Sequence, residues 1–452
     1  MWLRVVNRFS KGVLTLSLIS SLFAVLCPSG YAEDITMQSL TLKEAIDLAR
    51  QHNLQLGLSM ERVQMARAAL ELSRSALGPH VALTASQANL STNLRAQGFP
   101  NIPQIFPSPV QGPFNSFDTR LSLTQTVFNP LRSHLARSSE GQLAFVQHQE
   151  RAFLDQIIAA TALAYIEAQQ KSARLEAAQA NLRLSEELAE LARDQQKAGI
   201  ATGVDVARSE TRVAQDQYLM SQAKNQHDES LIRLKRVMGL PSQSTIQLTS
   251  PITFHHLPIP DSLSAMVRAA SQREELKALQ SQVMAAEEAL NAADSEALPE
   301  VGLQAAIGPS GVNAGQSVYT TKSIAIGMSI PLFTSGELSA HHSKAKSEFN
   351  TVRIQHEDAQ RQVEEDVALA LLSLQTSEEQ VAAAKKSLDL AERLLDLSRD
   401  RFKAGVTDNL EVVDALTALA TARSRLIDAT AEHTSARVNA AAAMGEVARF
   451  EI

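Results

Sequence analysis

The chain has 452 residues, a formal charge of −7, a single cysteine, and 44% hydrophobic but only 4% aromatic residues. A moderately acidic chain is poorly suited to nucleic acid, one thiol excludes an intrachain disulfide framework, and so few aromatic rings confine any membrane barrel to a minor part of the molecule.

The N-terminal segment carries Arg4, Arg8 and Lys11, then an apolar run from Val13 to Leu26, then Gly30, Tyr31 and Ala32 ahead of Glu33 and Asp34. That order reads as a secretory signal peptide over 1–32, cleaved after Ala32. The apolar run is shorter than the roughly 18 residues of a spanning helix. A retained anchor is the alternative, and Leu26 argues against lipidation of Cys27. Loss of 1–32 removes three basic and no acidic side chains, so the formal charge goes from −7 to −10 and no cysteine remains. No later apolar stretch has spanning-helix length, so the mature chain either is soluble or crosses a membrane as a β-barrel.

Two repeats follow, over 33–250 and 251–452. In the first, strands are expected at about 80–90, with Val81, Leu83 and Ala85 on one face, and at about 115–128, with Leu121, Leu123 and Val127 alternating with polar residues. A loop containing Pro100, Pro103, Pro107, Pro109 and Pro113 joins them and reads as an exposed tip. A helical hairpin is then expected over 131–238; between Leu131 and Ala198 the only helix breaker is Gly141. The second repeat is expected to hold a helix at 261–298, strands at 300–309 and 318–331 joined through residues 310–317, and a helical hairpin over 337–445. No Gly or Pro interrupts Glu337 to Lys403.

The duplication is legible in the residues. Leu191-Ala192-Arg193-Asp194 and Lys197-Ala198-Gly199-Ile200 return as Leu397-Ser398-Arg399-Asp400 and Lys403-Ala404-Gly405-Val406. Ser75 to Leu83 likewise returns as Ser295 to Leu303. A heptad seam through Leu175, Ala178, Leu182, Ser185, Ala189 and Ala192 is repeated as Val381, Ala384, Leu388, Ala391, Leu395 and Ser398. A second row, Leu184, Leu188 and Leu191, returns as Leu390, Leu394 and Leu397. Two seams per helix call for a neighbour on both sides, as in a closed ring; a helix buried in an ordinary bundle is the alternative. Four strands leave two open edges, which lipid cannot satisfy, so several copies are expected to share one barrel; three copies would supply twelve strands. A soluble four-stranded sheet is the alternative.

The signal peptide, the doubled order of strand pairs and long helices, Ile330-Pro331-Leu332-Phe333 followed by Gly336, and the Lys-Ala-Gly turns resemble the TolC-like outer-membrane efflux family over essentially the whole mature chain. The first repeat departs from the pattern with Thr126-Val127-Phe128-Asn129-Pro130, which leaves its local bend open. The resemblance implies a mainly α fold with a small β part: a long coiled-coil α-barrel plus a transmembrane β-barrel of four strands per chain, closed by trimerisation. It implies a passive exit duct in the outer membrane of a Gram-negative bacterium, with a large periplasmic portion, a periplasmic adaptor protein and an inner-membrane pump. It also implies that Glu411 and Asp414 form a pore constriction of six carboxylates in a trimer, against the plain alternative of a solvated acidic pair. Asp205 matches a gate-locking acid, or serves simply as a helix N-terminal acid. The usual partners are replaced by Phe402 and Thr407, so Arg401 or Lys403 is the expected substitute. Gly199 and Gly405 suit positive φ at helix ends, and adaptor contact at Lys197, Gly199, Ile200, Lys403, Gly405 and Val406 is a further implication.

No catalytic constellation, phosphate loop or metal-ligand spacing is present in the sequence. The pairs His255-His256 and His341-His342 point apart on any regular element, so no enzyme activity, cofactor, metal or nucleic-acid partner is expected. Small-molecule efflux is the preferred role. The alternatives are the duct of a type I protein secretion system and, in a different class, a periplasmic coiled-coil adaptor or structural protein.

Overall fold

The computed structural model describes residues 38–100, 105, 107–249, 251, 253, 254, 256, 258–315 and 317–450. The expected signal peptide, Pro103 and His255 lie outside the described residues. In chain order the elements are β1 (Gln38–Leu40), α1 (Leu42–His52), α2 (Leu54–Ser75), β2 (Pro79–Asn93), β3 (Val110–Phe128), α3 (Pro130–Lys197), α4 (Gly203–Met238), β4 (Ile246–Leu248), α5 (Ser262–Gln272), α6 (Glu274–Ser295), β5 (Glu300–Gly311), β6 (Tyr319–Ser329), α7 (Glu337–Lys403) and α8 (Asn409–Ala443). Helices α1 and α5 have 11 residues each and α2 and α6 have 22 each, at a constant offset of 220. The α3 and α7 ends and the α4 and α8 starts are offset by 206. Among the described residues no helix is long and apolar enough to cross a membrane.

The helix expected at 261–298 is two helices. Arg273 is extended, with φ −63 and ψ 121, and its counterpart Asn53 breaks the first repeat with φ −68 and ψ 114. Neither break has a Gly or Pro to announce it. Asn53 holds its place by accepting from the N–H groups of Gln55 and Leu56 while donating to Val237 O at 2.8 Å. At Arg273 the guanidinium donates to Asp366 at 2.8 Å on α7, so the kink is fixed by a partner far along the chain.

The strands form one antiparallel sheet in the order β2-β3-β5-β6. Register decides its two faces. Leu83 pairs with Leu121, Leu121 with Ile307, Leu123 with Ala305, and Ala305 with Ile324, while Leu303 meets Ile326. Directly paired residues share a face, so these side chains make one apolar sheet surface across all four strands. The other face pairs Thr84 with Arg120, Ser122 with Ala306 and Gln304 with Ala325. Phe117 and Phe128 bracket the apolar band on β3; the separation is about 36 Å along the strand, or about 25 Å along a membrane normal at a 45° tilt. Strand β2 extends past its expected limits at both ends, β3 begins earlier and β5 ends later, so Pro113 lies within β3 and Ser310 and Gly311 within β5, whereas β6 falls short of 318–331 at both ends.

Strand passes to helix differently in the two repeats. Asn129 caps α3 directly, accepting from Arg132 N–H at 2.9 Å, with Pro130 at the first helical position and a register irregularity between Thr126 and Phe128. The second repeat needs residues 330–336, ending in the left-handed Ser335 (φ 51) and Gly336 (φ 90).

Helices α3 and α7 each run about 100 Å. The first seam is buried along α7 and at the far end of α3, where Ser185, Ala189 and Ala192 meet their neighbours. The second row diverges between repeats. On α3, Leu188 is buried and Leu184 and Leu191 pack beside it against Val412, Leu416 and Leu419 of α8. On α7 the equivalent Leu390, Leu394 and Leu397 are 55%, 47% and 64% exposed. At the middle of the molecule β1 pairs in parallel with β4 over a core of Leu40, Ile158, Tyr165, Ile166, Leu234, Met238 and Val438, with Tyr165 Oη donating to Leu40 O at 2.9 Å.

Beside that core, Asp155 of α3 lies partly buried near the breaks. Burial, and then Glu275 and Glu274, push its carboxyl up to about 6, against weaker pulls from Arg50 and Lys277. A folded pKa above the unfolded one means that the folded state holds the extra proton between about pH 4 and 6, so stability falls as pH rises through that window. Asp155→Asn is therefore expected to stabilise the helical part by about 1–2 kcal/mol at pH 7 and by little at about pH 4, below the window. Thermal unfolding followed by circular dichroism at the two pH values checks this.

Candidate functional site

The Lys-Ala-Gly turns close the ends of α3 and α7. Gly199 and Gly405 both take positive φ, 78 and 69, as the spacing after each helix requires. The turns lie side by side. Gln195 Nε2 donates to Phe402 O at 3.1 Å, and a Cβ on Gly405 would sit 3.6 Å from the Ile200 side chain. Phe402 is buried among Leu395, Val412 and Leu416. Around this packed centre the tips present Ile200, Val204, Val406 and Leu410 to solvent, two equivalent pairs.

Asp205 and Glu411 occupy equivalent third positions in α4 and α8, where an acid favours the helix N-terminus. Their surroundings differ. Asp205 is buried and completes a capping box: Thr202 N–H and Oγ1 donate to its Oδ2 at 2.9 and 2.6 Å. The Thr202 side chain, then the Thr202 and Asn409 backbones, then Arg208 hold the carboxyl below the usual range against the opposing effect of burial. The cation is Arg208 at 3.4 Å, not the expected Arg401 or Lys403. Arg401 is engaged elsewhere, 2.8 Å from Glu411, and Lys403 is exposed without an ion pair among the described residues. Arg401 sits ten residues before Glu411, so the turn folds it back onto the acid of its own hairpin.

Glu411 is half-buried, accepting also from Thr407 Oγ1 at 2.7 Å. Asp414 is exposed and has no hydrogen bond or ion pair among the described residues. The two acids do lie one helical turn apart, but the expected pair of free carboxylates is one compensated acid and one free acid. Lys197 is held by Asp194 at 2.9 Å.

Sequence reasoning missed Asn409. Its side chain is fully buried and Nδ2 donates to Asp205 O at 3.0 Å and to Ser209 Oγ, which ties the start of α8 to the start of α4. The only signal was an amide standing where the first repeat has Gly203. Asn409 Oδ1, Gln195 Oε1 and Ser398 Oγ are buried here with no hydrogen-bond partner among the described residues. The histidines make no cluster: His341 and His342 each meet a separate carboxylate, Glu296 at 2.8 Å and Asp294 at 2.5 Å, and His256 meets Glu378. No group of potential metal ligands occurs among the described residues.

A sheet apolar on one face and polar on the other, joined to helices too long for a compact core, defines a channel-forming outer-membrane protein with a periplasmic helical part. Residues 45–240 and 265–446 match the family described as "Outer membrane efflux protein", and the chain belongs to that family. It is 24% identical over 417 residues to the "Toluene efflux pump outer membrane protein TtgF" of Pseudomonas putida, covering 89% of this chain and 83% of that one. It is 24% identical over 328 residues to the "Alkaline protease secretion protein AprF" of Pseudomonas aeruginosa, covering 72% and 68%. Among solved structures it resembles VceC of Vibrio cholerae, with TM-score 0.79, 19% identity, and 89% and 96% of the two chains covered. It also resembles CmeC of Campylobacter jejuni, with TM-score 0.80, 17% identity, and 90% and 86% covered. The family's members are trimeric outer-membrane channels rather than enzymes, and work with periplasmic adaptor proteins and inner-membrane pumps in tripartite efflux and secretion systems.

Asn409→Ala deletes both side-chain bonds between the two helix starts and is expected to weaken that contact by about 1–3 kcal/mol. Amide hydrogen exchange over residues 203–212 and 405–414 should speed up, while exchange near Tyr165 stays unchanged.

Proposed function

We propose that this chain is the passive exit duct for small molecules, held shut at the paired helix turns, with Asp414 as the fixed charge of the constriction. The observation that carries the reading is the exposed, unpaired Asp414 one turn beyond a compensated Glu411 at the end of the helical part. In a trimer the three Asp414 carboxylates would form a ring that attracts cations, and Glu411 adds less because Arg401 offsets it. Asp205 and Asn409 act as the latch between the two turns. The incompletely satisfied polar atoms of Gln195, Ser398 and Asn409 make this end easier to part than an apolar seam. Ile200, Val204, Val406 and Leu410, with Lys197, Lys403 and the two turn glycines, form the surface offered to an adaptor. The chain does no chemistry of its own, and the energy for transport comes from the pump.

Protein secretion is the second reading, and the similarity to the protease secretion protein favours it. Deletion of the gene distinguishes the two: sensitivity to toxic small molecules supports efflux, and loss of a secreted protein alone supports secretion. In planar bilayers Asp414→Ala should lower cation preference and raise single-channel conductance. Glu411→Ala should do so less, and Arg401→Ala should raise cation preference. Identical reversal potentials for all three and the wild type would remove these side chains from the pore.

A further inference from the structure

Register places one charged residue on the apolar face of the sheet. Lys322 pairs with Ile307, Ile307 lies opposite Leu121, and Leu121 opposite Leu83, so the lysine stands in a row of aliphatic side chains. Further along β6 the same face carries Ile324, Ile326 and Met328, which are 81%, 74% and 67% exposed. Asp118, Arg120 and Glu300, the other charged residues of the four strands, belong to the opposite face, where Arg120 Nε donates to Asp118 at 2.9 Å. Lys322 is exposed and makes no hydrogen bond or ion pair among the described residues.

An unpaired ammonium on a lipid-facing surface needs a counter-charge or a route to water. The chain offers no acid for it. From Gln87 to Phe117 and from Val301 to Gly336, spans that include both hairpin tips, there is neither Asp nor Glu. A second copy brings the same sequence to the same face and so adds none. The charged residues of those spans are Arg95 and Lys322, which makes the outer end of a chain with net charge −7 positive.

The strands join the helices at the opposite end of the sheet, so Lys322, fourth of the 11 residues of β6, belongs to the outer leaflet. Thr119 and Thr320 lie one row further out, with Gln87, Asn89 and Asn115 beyond them. One row is about 7 Å along a strand, or about 5 Å of depth at a 45° tilt, and the four-carbon stem of a lysine covers that distance. The stem then lies along the aliphatic row while the ammonium sits at headgroup level.

We propose that Lys322 binds the phosphate of an anionic lipid in the outer leaflet, one lipid per protomer. The occupant is a lipid rather than free phosphate because a lone ammonium encloses no ion, whereas a lipid also lays its acyl chains on the bare Ile324, Ile326 and Met328. Arg95, in the tip between β2 and β3, adds positive charge on the same side of the membrane. The inference rests on the outer-membrane placement of the sheet and not on the nature of the cargo.

Native mass spectrometry of the full-length, detergent-solubilised protein, titrated with single lipids, tests this. Phosphatidylglycerol and lipid A should bind the wild type more tightly than phosphatidylcholine does. Lys322→Met should weaken both anionic lipids about fivefold, the worth of one lysine at a lipid surface, and leave phosphatidylcholine unchanged. Lys322→Arg should keep the preference, and Lys346→Met on α7 should match the wild type. Methionine suits a lipid-facing position, so the assembled variant is expected in the same spectra. Equal phosphatidylglycerol affinity for the wild type and Lys322→Met would overturn the proposal, as would displacement of the lipid by inorganic phosphate at the same concentration. Aggregation of Lys322→Met with unchanged lipid affinity would also overturn it, marking the lysine as protection for a strand edge.

Discussion

Lipid offers no hydrogen-bond partner to a strand edge, and the sheet of this chain ends in two of them, β2 and β6. A barrel built from several copies removes both edges at once. That requirement sets the rest of the architecture, because each strand pair is tied directly to a long helix. Asn129 and Pro130 couple β3 to α3, and residues 330–336 couple β6 to α7. Closing the sheet therefore arranges the helices in a ring, and each long helix then needs a partner on both sides. The exposed Leu390, Leu394 and Leu397 are what one chain alone leaves unfilled.

Duplication supplied the scaffold, and the two halves then diverged in polarity and charge beside the helix turns. At equivalent places α4 has Ser209, Glu210 and Asp216 where α8 has Ala415, Leu416 and Ala422. The polar set is satisfied locally, Glu210 by Arg193 and Asp216 by Arg212, each within 2.9 Å. The apolar set is buried in the cluster around Phe402. Arg208 neutralises Asp205, and its counterpart at 414 is an acid instead. One substitution of sign thus leaves an exposed carboxylate on α8 where α4 carries an ion-paired arginine.

The bulk of the fold was legible in the residues because long-range architecture here is periodic. Heptads, alternation and an offset of half the chain are local patterns repeated many times, and each repetition lowers the chance of misreading. The family likeness drew on the same order of elements. The helix breaks at Asn53 and Arg273 escaped notice because each is stabilised from elsewhere, by Val237 O and by Asp366 respectively. At the turns, Gly199 and Gly405 announced their backbone conformation, whereas the partners of Asp205 and Glu411 could not be inferred from type or spacing. Arg401 and Lys403 were the partners expected for Asp205, and only the packed geometry chose Arg208 for it and gave Arg401 to Glu411.

Amino-acid order by itself determined the duplicated helix and strand plan, the two-seam helices and the insufficiency of a single sheet, since all three follow from periodicity and backbone hydrogen bonding. Tertiary structure alone decided which carboxylates are compensated, which leucine rows find a partner within the chain, and that Asn409 joins the two turns. Those outcomes depend on distances of a few ångströms between residues about 200 positions apart, and spacing along a chain carries no record of them.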